Sequence, residues 1–567
     1  MTRSALARGP LASGAALGIA FCALAGLVVR MQIGRGAEAE IWDDAMFFRR
    51  VAYNVLHHGF AGWNQSDGPV FVNTSQLYQT VTIGLLAIAP RHFNAATVVW
   101  AAACLGLTFA LMPGRSFAGR AVTFVGLQAP PIFMAIATGM DTCTVLLVLA
   151  AFLRLALRRS APRAPAQPAL LAAMSLLVYL ARPDALVLAA GVAIGLLAAR
   201  ADDRTRRLAT YCFATGAGLA VLSVSFRAYY GTVLPLATYV KLNPVSVYDP
   251  DYIALGWPGK LASLRLASLL LAGLAPFIAM RLDRANIVLS GAGLAFIAFH
   301  AATTNEIMGY HARFYAPALP LFVCAAARGS VCLTTRRRRF GVVTAASGAA
   351  LLAYVAYARG WVENATLGSY LDRTPLTSYF VFFLGLPIVA LVAGRARIRG
   401  APARIVGLAA LTVVPVVIAS VTTLQKPFRV VEDDVIYTSS ATRDGDLVGI
   451  DTIRGCFEEP LKLTHSELGV PGVLFPESKI IDYTGLANPS IIDRSFDFER
   501  LCRADRPDFV FRPHRTHRTL NEELSASRCL AEEYTPARLR RRSACPLYVR
   551  NDHVARFEAC VGAGDGP

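Results

Sequence analysis

No glycine-rich nucleotide loop and no P-loop occurs anywhere in this chain of 567 residues, so nothing in it is built to cradle a nucleotide phosphate. No two cysteines stand as a CxxC pair, which argues against a zinc knuckle. No internal repeat is evident, and the charges lie at the ends of apolar runs rather than in their middles, unlike the usual transporter pattern. Charge itself is scarce: Asp, Glu, Lys and Arg make up 17% of the residues, against about a quarter in soluble domains. Acids are scarcest, 38 against 56 Lys and Arg, for a formal net charge of +18.

What the chain has in excess is hydrocarbon. Hydrophobic residues make up 55% and the mean hydropathy is +0.46. Apolar runs of about 20 residues recur between arginine clusters, the pattern of a polytopic α-helical membrane protein. A pI near 9.7 would suggest nucleic acid for a soluble protein. Here the arginines sit between apolar runs, where the positive-inside rule explains them. The lipid bilayer, not nucleic acid, is the expected partner.

Arg3 and Arg8 precede the first run, Leu11–Val29, and hold its start in the cytoplasm. It reads as a retained first helix, because no convincing small-residue cleavage site follows and many spans do. The helix therefore delivers Glu38, Glu40, Asp43 and Asp44 to the far side, at the head of a first external loop over residues 31–76. Within that loop Phe47, Phe48, Val51, Val55 and Leu56 recur at helical spacing, as suits a helix in the interface plane. Gly59 ends it, and Trp63, Asn64, Asp67, Gly68 and Pro69 predict a turn-rich return.

Arginine clusters divide the rest. Residues 121–153 and 169–199 have basic flanks on both sides, which predicts two hairpins with Gly139-Met140-Asp141 and Arg182-Pro183-Asp184 at external apices. Further spans are expected near 208–225, 261–280, 285–303, 314–332, 340–357, 378–394 and 405–424. Parity fixes one net crossing for residues 77–112 and gives about thirteen membrane helices, so one of the two short pieces there is interfacial or re-entrant. From residue 425 the apolar runs stop. Short β-like stretches at Leu447–Ile450, Val473–Phe475, Lys479–Tyr483 and Phe509–Phe511 alternate with helix-compatible pieces, predicting a C-terminal α/β domain over 425–567 behind a membrane domain over 1–424. Cys456, Cys502, Cys529, Cys545 and Cys560 lie in it; on an extracytoplasmic side they predict one or two disulfides and one leftover thiol. Cys22, Cys104, Cys143, Cys212, Cys324 and Cys332 lie in or beside apolar runs and are expected as buried small hydrophobes.

An acidic pair at a bilayer surface is costly unless it has a task. Asp43-Asp44-Ala45, Arg49, Asn54, Gly59 and Trp63-Asn64 resemble the DDA…R…N…G…WN stretch of GT-C fold polyprenyl-phosphate-sugar glycosyltransferases, the mycobacterial terminal arabinofuranosyltransferase type and its proteobacterial relatives above all. Val72-Asn73-Thr74-Ser75-Gln76-Leu77 matches the family's next segment only loosely. Thr138-Gly139-Met140-Asp141, Ala181-Arg182-Pro183-Asp184, Tyr229-Tyr230-Gly231 with Leu234-Pro235 and Tyr239…Lys241, Arg313-Phe314 with Pro317…Leu319-Pro320, and Asp482-Tyr483-Thr484-Gly485-Leu486 are similar to further family motifs in the same order.

The resemblance implies a GT-C-like fold in a bacterial inner membrane, with the active site and C-terminal domain on the periplasmic side. It also implies transfer of a sugar, arabinofuranose in the nearest type, from a polyprenyl-phosphate donor. The acceptor would be a hydroxyl of a cell-envelope polysaccharide, lipopolysaccharide or glycoprotein. Asp43 would be the base of an inverting displacement, with Asp44 orienting sugar or acceptor. The one candidate cofactor is a divalent cation, magnesium or manganese, with Asp43 and Asp44 as its candidate ligands. The candidate substrate-binding residues are Arg49, Asn54, Asp141, Arg182, Tyr230, Lys241, His311 and Arg313. The residues alone leave blander readings open: an Asp pair capping the interface helix, arginines snorkelling to headgroups, and Asp184 as a structural partner of Arg182. A transporter or flippase for a lipid-linked glycan, or a structural assembly subunit, are the competing functions.

Overall fold

The computed structural model describes residues 43–112, 116–127, 129, 132, 139–158, 167–199, 203–242, 256–303, 310–333, 335–336, 340–342, 344–345, 446–466, 468–489, 497–513, 517–537 and 547–563. The expected first helix at Leu11–Val29 lies outside them, as do the spans at 378–394 and 405–424 and most of that at 340–357.

Helix α1, Asp43–His58, is the expected interface helix. Phe47, Phe48 and Val51 are buried while Leu56 is exposed. Gly59 closes it with φ 78 and an amide bond to the Val55 carbonyl at 3.2 Å, a left-handed turn that a Cβ would strain. Helix α2, Gln76–Ile88, lies along α1. The Gln79 amide donates to the Phe48 carbonyl at 3.2 Å, and Ala52 packs with Leu86.

Helix α3, Phe93–Leu111, leaves that layer. Near its start the Trp100 indole donates to Thr144 at 3.0 Å, and near its end Arg154 donates to the Ala110 carbonyl at 3.5 Å. It therefore runs parallel to α5, Thr142–Ala156, with α4, Phe117–Gly126, in the stretch that returns between them. Of the two apolar pieces over 77–112, α2 is the one that packs along α1.

Helices α6, Gln167–Ala181, and α7, Leu186–Ala198, form the second expected hairpin around a single turn at Pro183–Ala185. Helix α8, Arg204–Tyr230, bonds to α6 between Tyr211 and Ser175 at 2.9 Å and exposes Phe213, Val221 and Val224. On that outer face Cys212 is exposed rather than buried, as an apolar residue against lipid can be. A short α9, Leu236–Leu242, precedes α10, Gly256–Met280, and α11, Arg284–Thr303. Gly191 and Gly195 of α7 face Ala292 and Val288 of α11, the small-residue contact that lets membrane helices approach. Helix α12, Leu319–Gly329, is buried at every position but Arg328.

Among the described residues, four helices are long and apolar enough to cross a membrane: Pro90–Leu111, Arg204–Tyr230, Arg284–Thr303 and Phe314–Cys332. The protein is a helical membrane protein.

The C-terminal part carries α13, Asp446–Cys456, β1, Lys462–His465, α14, Gly469–Leu474, and β2, Lys479–Asp482. Next come α15, Phe498–Asp505, β3, Phe509–Phe511, α16, Arg518–Ala526, and α17, Arg528–Glu533. Strands β4, Tyr534–Pro536, and β5, Leu547–Arg550, and helix α18, Asn551–Ala563, complete it. The five strands order as β2-β1-β3-β5-β4. Strand β1 is parallel to β2 and β3, while β5 is antiparallel to β3 and β4.

Two expected strands are helices instead. Residues 447–450 open α13, because Ile450 and Ile453 recur at helical spacing against the sheet and are fully buried. Residues 473–474 end the short α14, where Pro471 can serve in a first turn but not in a central strand. Disulfides join Cys456 to Cys560 and Cys502 to Cys529, as expected, and the fifth cysteine, Cys545, lies outside the described residues along with Cys22 and the basic run Arg538–Arg542.

Candidate active site

Asp43 and Asp44 form the first turn of α1; their side chains are outside the described set. The next residues fix where that turn lies. Ala45 and Met46 pack against Met140 of the first hairpin apex and Val473 of α14. Tyr78 reaches the same apex, donating its hydroxyl to the Gly139 carbonyl at 2.8 Å and meeting Phe48 edge-on at 4.9 Å. The acidic turn is thus lodged between the Gly139–Asp141 apex and the C-terminal part.

Asp141 itself is buried, at 3% exposure, and its carbonyl accepts the Thr144 and Val145 amides that open α5. Its charge acts on Arg182. Arg182 in turn holds Asp184 through Nε at 2.9 and 3.1 Å to the two carboxylate oxygens. The expectation that Asp184 is the partner of Arg182 is therefore met. The guanidinium also stands over the Phe314 ring at 5.9 Å, a cation–π arrangement that favours a fixed cation.

His300 completes this cluster and was not among the expected residues. It ends α11 at 5% exposure. Its Nε2 is 2.8 Å from Asp184 Oδ2, and its ring stacks over Phe314 at 6.2 Å. In the sequence it is one histidine at the end of an apolar run, and nothing local distinguishes it. Only the crossing of α11 over the 183–185 turn brings it to Asp184.

The remaining expected residues lie on α1, α8, α9 and the segment before α12. Arg313 and His311 lie on the helical segment Tyr310–Ala318, directly before Phe314, and Lys241 lies on α9; the side chains of all three are outside the described set. Tyr230 ends α8, stacks on Phe71 at 4.6 Å and donates to Gln76 at 3.1 Å, which ties α8 to the start of α2. Arg49 stands over Phe93 at 5.3 Å. Asn54 is fully buried and its amide donates to the Gly62 and Trp63 carbonyls at 2.8 and 2.9 Å. It shapes the return loop of α1 rather than presenting its donor to a substrate.

Arg50, one position from an expected residue, is the more deeply buried of the two arginines of α1. Burial lowers its guanidinium to about 10, an effect that the charge of Glu477 partly opposes. It remains protonated at neutral pH. Burial, together with a hydrogen bond to Glu477, pushes the neighbouring Tyr53 phenol up to about 12.

Among the described residues no three His, Cys, Asp or Glu side chains gather as metal ligands.

No family model matches the chain, and no curated protein matches it. Solved structures do. ArnT from Cupriavidus metallidurans, crystallised bound to undecaprenyl phosphate and in the apo state, superposes with a TM-score of 0.56 at 14% identity in each case. The match covers 94% of this chain and 97% of ArnT. The fold is ArnT-like. That bears out the expected GT-C-like membrane architecture in its coarse form. The arabinofuranosyltransferase resemblance stays a matter of motifs.

Proposed function

We propose that the protein is an integral-membrane glycosyltransferase that moves a sugar from a polyprenyl-phosphate donor to a hydroxyl of a cell-envelope glycan or glycoprotein. The convergence of the α1 acidic turn, the Asp141 apex and the Arg182–Asp184–His300 cluster at one end of the helix bundle carries this reading. The ArnT-like fold supports it, since ArnT binds undecaprenyl phosphate. The motif order along the chain supports arabinofuranose as the sugar.

The chemistry follows from these groups. The acceptor oxygen forms a bond to the anomeric carbon while the bond from that carbon to the phosphate oxygen breaks, which inverts the configuration. A carboxylate at Asp43 takes the acceptor proton, and Asp44 orients the sugar or the acceptor. The polyprenyl phosphate leaves as an anion, and fixed cations at Arg182, Lys241 and Arg313 oppose its charge. Asp141 and Asp184 keep Arg182 ionised and aimed. The active side and the C-terminal part face the periplasm in this reading, consistent with the two disulfides.

The test is Asp43→Asn in cells, with mass analysis of envelope glycans and glycoproteins, and undecaprenyl phosphate binding by the purified variant. Disappearance of one sugar modification with lipid binding retained is the expected result. Partial retention of the product would favour a transporter or flippase, and no missing sugar even on deletion of the gene would sink the reading.

A further inference from the structure

Arg50 is 1% exposed, and its hydrogen-bond partners among the described residues are backbone carbonyls. Nε donates to Trp63 at 2.9 Å. Nη1 donates to Gly472 and Phe475, both at 3.0 Å, and to Pro476. Nη2 donates to Ser478 at 2.9 Å. Four of these five acceptors belong to the end of α14 and the segment that leads into β2, where helix-terminal carbonyls lack partners and carry partial negative charge. A planar guanidinium with five donors can serve them together, and an ammonium cannot.

The neighbouring loop grips the same segment. Asn64 pairs with both backbone groups of Ile480, accepting its amide at 2.8 Å and donating to its carbonyl at 3.1 Å. That is how an adjoining strand would treat β2, which is the edge of the sheet. The Trp63 indole donates to the same carbonyl at 3.2 Å. Trp63 lies so close to α14 that a Cβ on Gly472 would stand 2.7 Å from its ring. Tyr53 adds a hydrogen bond to Glu477 at 2.5 Å. One turn before Arg50, Met46, two residues after Asp44, packs with Val473 of the same short helix.

We infer that Arg50, Trp63 and Asn64 are positioning residues that clamp residues 472–480 onto α1 and so fix the turn carrying Asp43 and Asp44, making the C-terminal part a working wall of the transfer site. This rests on the reading of Asp43 as the base. The hydrogen bonds that Arg50, Trp63 and Asn64 make to residues 472–480 all act on its backbone, so they set distance and orientation and are indifferent to the substrate's identity.

The experiment uses the full-length protein with Arg50→Lys, which keeps the charge but not the fork, and Gly472→Ala, which removes no polar group and lies across the interface. Envelope product is measured by mass analysis at matched membrane abundance, and undecaprenyl phosphate binding is measured on the purified variants. Both variants are expected to lose about tenfold or more in product formation, with lipid affinity unchanged. Full product in both variants overturns the clamp, as does a loss confined to Arg50→Lys, which is the behaviour of a group contacting substrate. Loss of lipid binding in both overturns it as well, since the interface would then serve folding alone. If Asp43→Asn retains full product, the failure belongs to the base assignment instead.

Discussion

Arg182 is held by an acid beside it in sequence, an acid across the bundle and an aromatic ring. Removing it leaves Asp184 with His300 as its one remaining side-chain ion-pair partner among the described residues. Arg182→Ala is therefore expected to cost about 2 kcal/mol of stability, because it removes a charge-assisted hydrogen-bonded pair and leaves a part-buried carboxylate under-compensated. A thermal unfolding series in detergent would check this, and Arg182→Ala/Asp184→Asn should recover part of the loss. Recovery of stability without recovery of product would separate the structural duty of Arg182 from its duty toward the leaving phosphate.

At this scale the sequence was informative where chemistry clusters locally. Arg182 and Asp184 are two residues apart, and their pairing follows from that spacing alone. His300 and Arg50 were opaque for the opposite reason: their partners lie 116 and more than 420 residues away. An arginine hydrogen-bonded to backbone carbonyls also leaves no complementary acid near it in the sequence.

Among the elements, the helices were legible and the short C-terminal segments were not. A span is announced by its own apolar length, and Gly59 announces the end of α1. Residues 447–450 and 473–475 each offer a few apolar residues that fit a strand or a buried helix equally, and packing against the sheet decides.

The disulfides give an element-level test. Cys456–Cys560 ties α13 to α18 across a separation of 104 residues, whereas Cys502–Cys529 ties α15 to α17 across 27. Chain entropy then makes loss of the first bridge the costlier by about 1 kcal/mol. The urea midpoint for proteolysis of the C-terminal part should fall further in Cys456→Ser than in Cys502→Ser. Equal midpoints would mean that local packing, not loop closure, sets the stability there.

For the whole molecule, the clamp puts the C-terminal part on the same side as α1. A membrane-impermeant maleimide should therefore label cysteines at Gln65 and Glu558 in intact right-side-out membranes, both being exposed sites. A cysteine at Arg204, at the start of α8, should label only after lysis. Labelling of Arg204 with protection of Glu558 would invert the membrane orientation.

By itself the sequence determined the solvent. Its apolar runs, arginine flanks and turn residues fix helices, hairpin apices and an interface helix, because each depends on residues close together along the chain. The motif order added the expectation of an acid pair facing a lipid-borne phosphate. The tertiary structure alone decided which apices meet, that His300 closes on Asp184, and that Arg50 binds the carbonyl end of α14. Those are contacts between distant segments, and loop closure across hundreds of residues leaves no periodic trace in the sequence that pays for it.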